Sequence, residues 1–86
     1  MNEKTITQYE TAFAKCKDVF LKKTKDYGTS WRILRARSIT DQIYIKAKRI
    51  RTIDETGENK VGDSIDSEFI GCVNYGIIAI IQLNLQ

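Results

Sequence analysis

Eighty-six residues, 42% apolar and 29% charged with a net charge of +3, fit one small globular domain, in a size range where only ~60% of the unfolded chain's surface is buried and stability is marginal. The sequence has no proline, which favours long uninterrupted helices, and no histidine, which excludes Ser-His and Cys-His nucleophilic catalysis and any histidine-bearing zinc site. It also lacks a G-x-x-x-x-G-K-[ST] loop and a dinucleotide-binding fingerprint, so the chemistry left is carboxylates with Mg²⁺, or lysine and arginine cradling an anion.

From about Thr5 to Lys25 the chain reads as an amphipathic helix. Ile6, Tyr9, Phe13, Cys16 and Phe20 recur at spacings of three and four, and the Asp18–Lys22 pair stands one turn apart. The N-terminal MNEKTITQYE lacks the apolar core of a signal peptide, and Cys16 and Cys72 sit in apolar helical patterns without a C-x-x-C pair. Both are expected to be core thiols of a cytoplasmic protein.

Gly28 is the expected helix stop. Around it the run KTKDYGTSWR gathers Lys23, Asp26, Tyr27, Trp31 and Arg32. Asp26 has two readings: accepting from backbone N–H groups in the turn, or binding a ribose or base. Trp31 has two as well, plugging the core or stacking on a base. Ser38 with Asp41 three residues on resembles a capping box, so a second helix is expected from there to about Ile53, with Ile39, Ile43, Ala47 and Ile50 on one face and Lys46 and Arg49 on the next stripe.

Charge is uneven along the chain. Arg32 to Arg51 holds seven cations against Asp41, and Thr52 to Glu68 holds six acids against Lys60. Either an anion occupies the basic segment or the two segments pair with each other. Arg32, Lys46 and Arg49 are the candidate phosphate contacts, their alternative being an ion-pair network with Asp41, Asp63 or Glu68.

The stretch from Asp54 to Gly62 reads as an exposed loop, and a third helix is expected from Asp63 or Ser64, with Asp66 and Glu68 near its start. From Phe69 to Ile81 the one strongly polar side chain is Asn74. The run is too short to span a bilayer, which takes ~20 residues. A helix apolar all round must be buried all round, so the expected architecture is all-α: a small bundle of three main helices over residues 1–86, completed by a homodimer or higher homo-oligomer. Asn74 would then fix register across the interface or present its amide to a ligand.

Three runs, KKTKDYGTSWRILR, TDQIYIKAKRIR and EFIGCVNYGIIAIIQL, together resemble the nucleotide-modification-associated domain 1 family over nearly the whole chain. The resemblance implies an all-helical domain linked by association to nucleotide and DNA-base modification, often within a longer protein of which this chain would be the N-terminal part. Carried onto this sequence, it points to Lys23, Asp26, Tyr27, Gly28, Trp31, Arg32, Asp41, Gln42, Lys46, Arg49, Asn74 and Tyr75. The K-x-x-D-Y-G element is also similar to that of MazG-like all-helical nucleotide pyrophosphohydrolases, which bind Mg²⁺ through E-x-x-E and E-x-x-D pairs. This sequence has no E-x-x-E, Asp63-x-x-Asp66 being the nearest approach.

The leading expectation is a nucleotide- or phosphate-binding helical domain, with Lys23, Asp26, Tyr27, Trp31, Arg32, Lys46, Arg49 and Asn74 at the ligand. If it is hydrolytic, Mg²⁺ would be held among Asp26, Asp41, Asp66 and Glu68. The rival is a helical assembly module without a small-molecule site. Direct nucleic-acid binding is disfavoured by the modest net charge and the acidic loop.

Overall fold

The computed structural model describes residues 2–58 and 64–84. Three helices, α1 (Glu3–Tyr27), α2 (Ala36–Thr56) and α3 (Ile65–Asn84), are joined by one short 3₁₀ turn, η1 (Ser30–Ile33), between the first two. The fold is a small all-α bundle with no strand among the described residues.

Local chemistry fixes most helix ends. Asn2 Oδ1 accepts from Thr5 N–H at 2.8 Å, capping α1. Gly28 ends it at φ 69°, a region that costs other residues a steric clash, and donates its N–H to Thr24 O at 2.8 Å. Gly57 ends α2 the same way, at φ 72° and in contact with Ile53 O. The helix therefore takes in Asp54–Thr56, which the loop reading had placed outside it. Gly57 and Glu58 are the described part of that loop. The remainder, with Asp63 and Leu85, lies outside the described residues. Ser64 Oγ accepts from Ser67 N–H at 3.0 Å, in the capping role expected at the start of α3.

The start of α2 differs from expectation. Ser38 and Asp41 lie inside its first turns, and Arg35 takes the N-cap position without a side-chain hydrogen bond. The cause is tertiary. Gln82 near the end of α3 donates to Arg32 O at 2.6 Å and Leu34 O at 3.1 Å, so η1 is held against α3 and the chain turns into α2 directly after Arg35.

α3 is the hub. It packs along α2 and crosses α1, with Ile70, Asn74 and Ile78 buried at spacings of four and Ile39 of α2 fully buried. On α1 the apolar stripe is only partly used: Cys16 is buried, whereas Ile6, Tyr9 and Phe13 are exposed. Ala47, expected on the buried face of α2, is also exposed. The core is thus small and centred on α2 and α3. Truncating its one completely enclosed aliphatic side chain, Ile39→Ala, is expected to lower unfolding free energy by about 2–5 kcal/mol, read from the urea midpoint at unchanged slope.

Candidate functional site

Glu68 sits on the face of α3 turned to α2 and is only 1% exposed. Two cations one turn apart on α2 face it, Lys46 Nζ at 3.9 Å from Oε2 and Arg49 Nη1 at 3.7 Å from Oε1. Neither is close enough for a normal hydrogen bond, and Oε2 is enclosed without a partner. Lys46 reaches this place by lying across Gly71, where a Cβ would stand 2.8 Å from both its Cδ and Cε. Its ammonium also lies 5.8 Å from the centre of the Tyr75 ring.

Beyond Lys46 opens a cavity of about 340 Å³ between α1, η1 and α3. α1 contributes Val19, Phe20, Lys23, Thr24 and Tyr27; Gly28, Ser30 and Trp31 form the turn side; α3 supplies Ser67, Ile70, Gly71, Asn74, Tyr75 and Ile78. Trp31 is half-buried, its ring 6.0 Å from that of Phe20 and capped by the Arg32 guanidinium at 4.7 Å. Asn74 Nδ2 donates to Cys16 O at 3.0 Å, tying α3 to α1. Its Oδ1 and the Trp31 indole N–H are enclosed without partners, each such group costing about 1–3 kcal/mol.

Of the eight residues expected at the ligand, the fold brings Lys23, Tyr27, Trp31, Lys46 and Asn74 to this cavity. Asp26 is exposed on the last turn of α1, Arg32 stacks on Trp31 from outside the lining, and Arg49 faces Glu68. The four carboxylates expected to share a metal, Asp26 among them, are not brought together. Asp66 pairs with Lys15 of α1, Glu68 is enclosed by two cations, and Asp41 is exposed on α2. No group of three or more His, Cys, Asp or Glu side chains suited to a metal ion exists among the described residues. The described carboxylates are thus not gathered at one place.

The chain matches the model of the family described as nucleotide modification associated domain 1 over residues 23–83. It belongs to that family. No curated protein and no solved structure matches the chain. The nucleotide modification associated domain 1 segment includes every cavity-lining residue except Val19 and Phe20, together with Arg49 and Glu68. Sequence reasoning missed Ser67, Gly71 and Ser30 as lining residues; it gave Glu68 two readings, a metal ligand or an ion-pair partner of Lys46 and Arg49, and the structure shows the second. The signal for that pairing was two cations one turn apart on α2 and the acid next to the apolar run of α3.

Cys72 is half-buried beside this cluster. Burial pushes its thiol above the ordinary value, the Lys46 charge pulls it back and the Glu68 carboxylate pushes it further up. It should therefore alkylate more slowly than a free cysteine at neutral pH, as followed by mass spectrometry. A raised folded-state pKa means that this contribution to stability is full below the unfolded thiol's ~8.5 and is lost as pH rises through the folded value, so Cys72→Ala should flatten the alkaline limb of a stability–pH curve.

Lys46→Met keeps the stem packed on Gly71 but removes half the charge facing a buried carboxylate. A loss of about 1–3 kcal/mol is expected, and Glu68→Gln added to it should recover most of that loss in a double-mutant cycle of urea midpoints.

Proposed function

We propose that this chain binds a nucleotide or a related phosphorylated compound in the cavity between α1, η1 and α3. The observation that carries this reading is the lining itself, which sets Lys23 and Lys46 among Tyr27, Trp31 and Tyr75. Lysine ammonium groups supply donors and charge to a phosphate, and aromatic faces stack on a base at about 1–3 kcal/mol per base. The volume falls in the range of small-ligand sites, ~300–1,000 Å³. Membership of a family described by its association with nucleotide modification supports the same class of ligand.

Two further groups suit a base. The Trp31 N–H is an enclosed donor and Asn74 Oδ1 an enclosed acceptor, both on cavity-lining residues, and a small side-chain rotation on binding would pair them with the edge of a base. The phosphate role narrows to Lys23 and Lys46, the two cations on the cavity lining, which includes neither Arg32 nor Arg49.

A second reading, the helical assembly module, is favoured by one observation: Lys46 and Arg49 both serve Glu68. A thermal-shift panel of nucleoside mono-, di- and triphosphates, each with and without Mg²⁺, separates the two. Binding at 100 times the dissociation constant adds ~2.7 kcal/mol of stability, and the shift is expected without Mg²⁺. Lys23→Ala, a change at an exposed side chain, should abolish the shift while leaving Tm without ligand unchanged. Gly71→Ala, which displaces the Lys46 stem, should weaken binding more than it changes stability. No shift with any nucleotide would overturn the reading in favour of assembly.

A further inference from the structure

The face of α3 turned away from the core carries an apolar row that nothing in the described chain covers. Phe69, Val73, Ile80 and Leu83 are 54%, 45%, 61% and 58% exposed. Gly76 lies among them, with no atom within 4 Å of where a Cβ would stand. Together the five run at alternating spacings of four and three residues, the 3.5-residue period of a seam along which one helix lies against another. No charged side chain occurs between Phe69 and Leu83.

The surface of the chain is also larger than a monomer of its mass should show. Its accessible area is 6929 Å², about 1,700 Å² above the ~5,200 Å² expected from size alone. The radius of gyration of 14.4 Å exceeds the ~12 Å of a compact chain of this length. A stable association takes ~800 Å² from each partner, so the excess is sufficient for one such interface.

We propose that this row is the docking face for a second copy of the same chain, the two α3 helices packing about a two-fold axis with Gly76 allowing close approach. A two-fold interface places the same patch against itself. An uncharged row is self-complementary under that operation, whereas a charged one would repel its copy. The lack of charge therefore selects a second copy over a partner recognised by charge.

The second exposed apolar patch, Ile6, Tyr9 and Phe13 on α1, lies before the point at Cys16 where α1 meets α3. It provides the control.

Light scattering of the full chain at low micromolar concentration should give twice the 9.9 kDa chain mass. Val73→Glu with Ile80→Glu, both at exposed positions, should leave helicity by circular dichroism unchanged and raise the dimer dissociation constant roughly 100-fold or more, two buried anchors each contributing at least tenfold. Gly76→Leu adds bulk where the protomer has open space, so it tests the same seam without introducing charge and should also yield monomer. Ile6→Ser with Phe13→Ser should leave the dimer intact. A monomer mass for the unaltered chain would overturn the proposal. So would a dimer that survives the α3 changes, or one lost only on changing α1.

Discussion

A buried carboxylate with two cations at arm's length is the constraint around which the rest of the molecule is arranged. Glu68 is almost completely enclosed, and an ion removed from water costs several kcal/mol unless charge of the opposite sign is held beside it. Lys46 and Arg49 meet that demand because they stand one turn apart on the same face of α2. The pairing fixes both the rotation of α2 about its axis and its register along α3. It also decides where Lys46 is not: its stem runs over Gly71 instead of into solvent, which brings the ammonium to the cavity wall. Structure and candidate site thus share one side chain.

The other side of the cavity is built from weaker attachments. α1 is tied to α3 through the Asn74 amide on Cys16 O and an exposed Lys15–Asp66 pair, and η1 through the two hydrogen bonds from Gln82. Each is worth about 0.5–1.5 kcal/mol net, and the exposed ion pair less. A cavity bounded by a firm α2–α3 wall and a lightly held α1 can adjust to a ligand without breaking the core. Binding there would in turn tighten the packing of α1 on α3, because a ligand touching Lys23, Tyr27 and Asn74 spans both helices.

What the sequence made legible was whatever depends on neighbouring residues. The three helices, the stop at Gly28 and the Ser64 start are written in local backbone chemistry and appear where expected. The Asp18–Lys22 pair forms at 3.0 Å for the same reason. The opposite holds at Ser38, whose capping pattern is sound locally but is overruled by Gln82, more than forty residues away. Asn74 shows the same limit: its polarity within an apolar run announced a specific partner, yet that partner is a backbone carbonyl of α1, which no side-chain pattern encodes. Glu68 was read both as a metal ligand and as an ion-pair partner of Lys46 and Arg49, because its acidity and their spacing are visible in the sequence while the depth of its burial is not. The site was half legible on these terms, with Lys23, Tyr27, Trp31, Lys46 and Asn74 converging and Asp26, Arg32 and Arg49 not.

The two glycines of α3 separate the forces acting on that helix. Each costs ~1 kcal/mol relative to alanine in a helix interior, so each needs a compensating contact. Gly71 has one within the chain, since a Cβ there would collide with the Lys46 stem that neutralises Glu68. Gly76 has none, as the space beside it is open and its neighbours on that face, Val73 and Ile80, are exposed apolar side chains. A glycine whose compensation lies inside the protomer marks the α2–α3 interface. One whose compensation is missing among the described residues, in the middle of an uncharged row at a 3.5-residue period, would find it under the proposed pairing, in a second α3 backbone that a side chain at this position would keep away.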